Sequence, residues 1–255
     1  MDSSRAAVSE TLTLLNNRVS VRRYTSQPVP EELIEEVLEA AFRAPTSSNI
    51  QAYSVVIVRD RKKLKQLSLS TGNQQHVADA PVFLAFCADL TRIQRAMEKN
   101  GRSVTNNNLE LGLVSTVDAA LVGMATSLAA ESVGLKGVMI GAVRNDPISV
   151  AEILGLPKMV YCVFGMCLGW PGDVPRQKPR MKPSAIIHYE QYGNHSDRDG
   201  TQILEEYDRD LSAHYASVNK PTTSDSWSGE IARKFDPQPR AGLRDALKEC
   251  GFDFL

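Results

Sequence analysis

Arg18, Arg22 and Arg23 fall within one short run, RVSVRRY, that ends at Tyr24. The intervening Val19 and Val21 favour extended backbone, and in an extended chain alternate side chains share a face. Arg18, Ser20 and Arg22 then point one way and the two valines the other. The valine side would sit on a core. The opposite side would offer two guanidiniums and a hydroxyl, donors suited to a phosphate; the same residues would also serve as a solvated basic edge. A second candidate is APTSSNIQ, residues 44–51. Its Ser47, Asn49 and Gln51 can reach a polar ligand, though such residues populate any loop. A third is QKPRMKP, where Pro179 stiffens the chain between Lys178 and Arg180 and alternate extended positions put both cations on one side. The fourth is MIGAV, where Gly141 lets backbone amides approach a flat ligand closely. Two separated basic pairs, an amide-rich loop and a glycine strand end suit a ligand with a phosphate at one end and a hydrogen-bonding planar ring at the other.

These residues must be held by regular elements. Leu12, Leu14 and Leu15 predict a short helix ending near Asn17. Pro30 opens PEELIEEVLEAAFRA, with glutamates at the positive end of the helix dipole and Leu33, Ile34, Val37, Leu38, Ala41 and Phe42 at helical spacing. YSVVIVRD reads as a strand, RKKLKQL as a basic helix and APVFLAFCADL as a buried strand. The longest helix runs from Leu109 to Ser132, apolar nearly all round, so it belongs in a large core or at a subunit interface. Asp118 is its odd residue and needs a partner unless it lies at the periphery. GLKGVMIGAV gives a strand or turn, ISVAEILGLP a helix and MVYCVFGMCLGWP another buried strand. After Pro171 the chain turns proline-rich and basic, then forms an amphipathic helix in TQILEEYDRDLSAHYAS, a mobile loop at VNKPTTSDS and two short helices. The pattern predicts an α+β layered domain, with residues 1–185 as core and 186–255 as a wrapping extension.

The 255 residues, 42% hydrophobic, suffice for a sizeable core, and the net charge of -1 argues against a general nucleic-acid or membrane-surface binder. Cys87, Cys162 and Cys167 sit in apolar runs, and no cysteine pair has a C-x-x-C spacing. They read as buried thiols of a reducing compartment, not as disulfides or metal ligands. His76, His188, His195 and His214 are scattered; His76 is the one with catalytic potential. MDSSRAAVSETLTLL carries acidic residues and no long apolar core, unlike a secretory signal, and no stretch is clean enough to span a bilayer. A cytoplasmic protein is expected. There is no P-loop, no G-x-G-x-x-G after the first strand, no H-E-x-x-H and no G-x-S-x-G.

The order of these segments resembles the nitroreductase family of FMN enzymes. The basic R-x-S-x-R, the Pro-started helix, the PTSSNIQ loop and the following strand resemble the family's opening. KGVMIGAVRN, VFGMCLGWP and KPR resemble its NADPH-preferring subgroup, with the likeness running from about residue 10 to 255. The resemblance implies an α+β homodimer with two FMN sites at the subunit interface. It assigns Arg18, Ser20 and Arg22 to the phosphate and lower ribityl, with Arg22 nearer the ring, and Lys178 and Arg180 to a second phosphate clamp. It assigns Ser47, Asn49 and Gln51 to the flavin and ribityl chain, Gln74 to the pyrimidine edge, and Ile140 and Gly141 to the flavin near its N5. Arg240 falls on the subgroup's nucleotide-contacting arginine, and Lys220 is a further cation for NADPH. Thr46, Met139 and Ala142 depart from the usual residues, which bears on substrate fit.

The implied reaction is a ping-pong hydride transfer from NADPH to FMN and then a two-electron reduction of nitroaromatics, quinones or free flavin. The cofactor carries the chemistry, Arg22 supplies electrostatic support near N1 and O2, and no metal is called for. Related proteins of this fold also carry out dehalogenation, flavin breakdown or flavin binding without turnover, and fold alone does not choose among them.

Overall fold

The computed structural model describes residues 9–104, 109–193, 200–220 and 226–254. The chain divides into two compact units, one reaching to Pro175 and resuming at Arg240, the other Arg176–Pro239. His195 and most of the loop expected at residues 218–226 lie outside the described residues.

The first unit is built on a four-stranded antiparallel sheet of order β1-β2-β4-β3, with β1 Tyr53–Val58, β2 Val82–Asp89, β3 Lys136–Ile140 and β4 Val160–Gly169. β2 and β4 are central, and every residue of β2 is buried. A strand covered on both faces reads as a continuous apolar run, which is why VFLAFCAD shows no alternation in hydropathy. The alternation survives in what the side chains meet. Leu84, Phe86, Tyr161, Met166 and Leu168 share one core cluster with Ile34, Val37, Ala119 and Val122. Phe83, Ala85, Cys87, Val138 and Cys167 share the other with Leu64, Leu67, Val150 and Leu154.

The helices follow from local rules. Ser9 caps α1 (Glu10–Asn17) by accepting from Leu12 N. α2 (Glu31–Ala41) has Pro30 at its N-cap and buries Ile34, Val37, Leu38 and Ala41, the i, i+3, i+4, i+7 face. Asp60 caps α3 (Arg61–Ser70), whose basic residues face out while Leu64 and Leu67 are sealed in. α4 (Gln75–Ala78) and α5 (Thr91–Lys99) follow. α6 (Leu109–Ser132) lies on the first cluster's side, packed on α2 and β2. At Gly123 an added Cβ would lie 2.3 Å from the Phe164 ring, so only glycine lets that ring stack on Phe86 with centroids 5.0 Å apart. Asp146 caps α7 (Pro147–Leu154).

By length and composition α6 would suffice to cross a bilayer, which corrects the expectation that no stretch would. In this fold it is a core helix with buried Ser115, Asp118 and Thr126. Its remaining face is another matter. Leu109, Leu113, Val117, Leu121 and Met124, spaced by four and then three, are all exposed in the single chain.

The second unit contains the turn Pro183–Ala185, α8 (Gly200–Ser217) and α9 (Trp227–Phe235). Tyr207 packs edge-on against Trp227, and Asp208 accepts from Ser228 N and Oγ. Back in the first unit, α10 (Leu243–Glu249) leads to Phe252, fully buried and edge-on to Tyr161.

Candidate functional site

The arginine run behaves as its valines require. Val19 and Val21 are buried, Arg18 and Ser20 half-buried and Arg22 exposed. The run lies beside β3, where Val21 N donates to Gly137 O at 3.0 Å. It is not a sheet strand, and only Tyr24 makes an isolated bridge, to Pro171. Among the described residues Arg22 has no carboxylate within ion-pair distance. Its positive field is felt by its neighbours. His76 is held below its ordinary value by burial and then by Arg22, with Asp79 opposing, so its imidazole is kept neutral. The Tyr24 phenol and the Cys167 thiol are pushed well up by burial, and Arg22 only partly offsets this.

β3 ends at Ile140, whose side chain is buried, leaving its backbone as the part it can offer a ligand. Gly141 then opens the 3-10 turn Gly141–Asn145. Asn145 also neighbours the turn that precedes α4, since a Cβ on Gly72 would meet its amide at 3.9 Å. Gln74 follows in that turn. Its Nε2 donates to Thr71 O at 2.9 Å and its own carbonyl accepts from Ser68 Oγ at 2.9 Å. Arg240 reaches the same place, donating from Nε to Asn145 Oδ1 at 2.9 Å and from Nη2 to Gly141 O at 3.4 Å. The fold therefore gathers the arginine run, Gln74, Ile140, Gly141 and Arg240 about one end of β3.

The Ser47–Gln51 loop is tied instead to α6 and α5. Asp118, fully buried, accepts from Ser47 N through Oδ1 and from Ala52 N through Oδ2, both at 3.0 Å. Arg92 donates to Gln51 O at 3.0 Å. Between these anchors Ser48, Asn49 and Gln51 hold φ of 46°, 56° and 54°, the left-handed region that residues with a Cβ rarely enter. Gln51 Nε2 donates to Asn49 Oδ1 at 3.3 Å, so the two amides are presented together at the exposed tip. The partner that Asp118 was expected to need is this loop.

In the second unit Lys178 and Arg180 are exposed. Lys178 Nζ donates to the Tyr215 hydroxyl at 3.3 Å and lies 5.1 Å from the ring centroid, while Lys220 lies 4.3 Å from it. One buried aromatic thus steadies two of the expected cations. Arg144 and Arg92 were not among the expected residues; Arg144 stands in GAVRN, three places after Gly141, and its position there was the available signal.

Across the whole chain the order of these segments matches known proteins. The family model described as "Nitroreductase family" matches residues 15–170, and "Nitroreductase family, C-terminal domain" matches 178–255. The chain belongs to the nitroreductase family. It is similar to "FMN reductase (NADPH)" of Bacillus subtilis, 37% identical over 94% of this chain and 97% of that protein. It is similar to "Oxygen-insensitive NADPH nitroreductase" of Salmonella typhimurium, 36% identical over 96% and 99%. The solved structure of the NfrA1 nitroreductase from B. subtilis superposes with a TM-score of 0.90 at 35% identity, covering 96% of this chain and 99% of that one. The nitroreductase fold, helices layered on an antiparallel sheet, is the one expected from the sequence. Among the described residues no group of three or more His, Cys, Asp or Glu side chains is placed to hold a metal ion.

Proposed function

We propose that the chain is an FMN-dependent NADPH oxidoreductase acting on small acceptors: nitroaromatics, quinones or free flavin. The observation that carries this reading is the basic ledge beside β3. There Arg22 is exposed with no carboxylate paired to it, next to a strand end where Gly141 leaves the backbone approachable. The donor set fits FMN. Arg18, Ser20 and Arg22 suit the phosphate and ribityl chain, and the amides of Asn49, Gln51 and Gln74 suit a ring that both donates and accepts hydrogen bonds. When bound, FMN takes a hydride from NADPH and passes two electrons to the acceptor.

This chain's residues bind and orient. Arg22 places positive charge where the isoalloxazine ring would gain negative charge. Ile140 and Gly141 offer backbone groups to the ring, and Ser47 lies with Asn49 and Gln51 on the loop held by Asp118. Within the second unit Lys178 and Arg180 are proposed as further phosphate-binding cations, and Lys220, like Arg240 in the first unit, as a cation for the nucleotide. The exposed stripe of α6 supports a homodimer, because five large apolar side chains on one helix face call for cover. Four free, buried cysteines agree with a cytoplasmic setting.

The test is an absorbance spectrum of the purified protein, then NADPH without oxygen. Flavin bands at about 370 and 450 nm, as the free cofactor gives, should be present and bleach. Arg22→Ala should lower FMN retention by about tenfold, the loss of one charge-assisted contact. A colourless protein that FMN cannot reconstitute refutes the reading, and a yellow protein that never oxidises NADPH selects flavin binding without turnover.

A further inference from the structure

Two guanidiniums meet at Gly141 without an acid between them. Arg144 belongs to the turn that Gly141 opens, and a Cβ at Gly141 would lie 3.4 Å from its Nη2. Arg240 comes from the far end of the chain and donates to Gly141 O and Asn145 Oδ1. Arg144 in turn donates to the carbonyl of Val163. That carbonyl is available for a structural reason. The β2–β4 register passes from Phe86↔Phe164 to Cys87↔Cys162, so Val163 is the extra residue of a bulge, left without a partner on β2. Bulges re-aim groups in this way beside functional sites.

Every acceptor that orients these two side chains is neutral: Val163 O, Asn145 Oδ1 and Gly141 O. Among the described residues no ion pair reaches either guanidinium. Asp146, next in sequence, has one carboxylate oxygen committed to Ser149 N as the cap of α7. Arg144 feels the uncompensated charge: burial, and then Arg240, lower its proton affinity. Arg240 is also held at φ 55°, a strained conformation that surrounding contacts must impose and that gathers at ligand clamps. Aimed by neutral acceptors and left unneutralised, the pair has the form of a receptor for negative charge.

We propose that Arg144 and Arg240 together form an oxyanion-binding site, for a phosphate or carboxylate group, beside Gly141. The inference rests on the proposed activity only for the source of the anion, a phosphate of NADPH or an acid group on the acceptor.

The FMN-loaded protein is titrated calorimetrically with inorganic pyrophosphate at low salt, alongside Arg144→Gln and Arg240→Gln. Either change should weaken binding about tenfold or more, and added salt should weaken the wild type. Equal affinity in all three proteins overturns the proposal. Should Arg144→Gln fail to fold because Val163 loses its donor, Arg240→Gln, at an exposed position, decides alone. Steady-state kinetics then separate the sources. Loss of preference for 4-nitrobenzoate over 4-nitrobenzamide in the variants assigns the site to an acidic acceptor. A raised KM for NADPH with that preference intact assigns it to the nucleotide. The titration needs no turnover, so absent NADPH oxidation with Arg240-dependent pyrophosphate binding counts against the activity and in favour of the site.

Discussion

Asp118→Asn tests whether one buried carboxylate holds the loop that carries Ser47, Asn49 and Gln51. The side chain is fully buried and makes two bonds, to Ser47 N and Ala52 N, each at 3.0 Å. Asparagine keeps the shape and one acceptor but turns an N–H₂ toward the second backbone N–H, so one bond is lost and two donors are opposed. A hydrogen bond to a charged group contributes about 1.5–3 kcal/mol, and a buried donor left unpaired costs a further 1–3 kcal/mol. The loop also carries three left-handed residues, Ser48, Asn49 and Gln51, whose strain is released once an anchor goes, which recovers part of that cost. The net loss is about 3 kcal/mol, and for a chain of this size each kcal/mol moves Tm by about 2–4 °C, so Tm should fall by about 6–12 °C. Asp118→Ala removes both acceptors and should cost more. Urea and thermal unfolding give the stability. Quenching of flavin fluorescence gives FMN affinity, which should weaken as the loop loses its shape. An Asn variant within about 0.5 kcal/mol of wild type, the range of an ordinary surface change, with unaltered FMN affinity would refute the anchoring argument.

Two further outcomes follow from the same structure. Val117→Lys puts a charge on the exposed α6 stripe; gel filtration should show a shift from dimer to monomer, and elution unchanged from a dimeric wild type would remove α6 from the interface. Asp89→Asn probes acid stability. Burial alone would raise the Asp89 carboxyl, but bonds from Ser54 and Thr91 and the charge of Arg92 outweigh it and hold the group below its ordinary 3.8. The folded state then binds fewer protons than the unfolded one, so the stabilisation is present above about pH 4 and lost as pH falls through the folded value. Asp89→Asn should be less stable by about 1–3 kcal/mol at neutral pH, with the two stability curves converging in acid. Parallel curves would show that Asp89 contributes nothing through its charge.

Periodicity made the layered architecture legible because each element obeys one local rule at a time. α2 declares itself through Pro30, its first-turn glutamates and the spacing of Ile34, Val37, Leu38 and Ala41. The run from Arg18 to Arg22 likewise needed only the two valines to announce which side is covered. What stayed hidden depends on contacts far apart in sequence. Asp118 was visibly out of place in an apolar helix, yet nothing local says that its oxygens reach back 71 residues to Ser47 and 66 to Ala52. The left-handed run at Ser48, Asn49 and Gln51 was equally invisible, since serine and glutamine do not advertise positive φ as glycine does.

Arg144 and Arg240 are the extreme case. Ninety-nine residues separate Gly141 from Arg240, and the bulge that frees the Val163 carbonyl lies on a strand whose hydropathy is uniform throughout. A slip of register leaves no trace in a strand buried on both faces, because every position is apolar whichever way it points. The consequence is physical as well as interpretive. An alternating strand would expose an apolar side chain at a bulge and be penalised, whereas β4 can absorb the extra residue between two cores. The doubly covered sheet that conceals the bulge is thus the same feature that permits it, and with it a carbonyl aimed at Arg144.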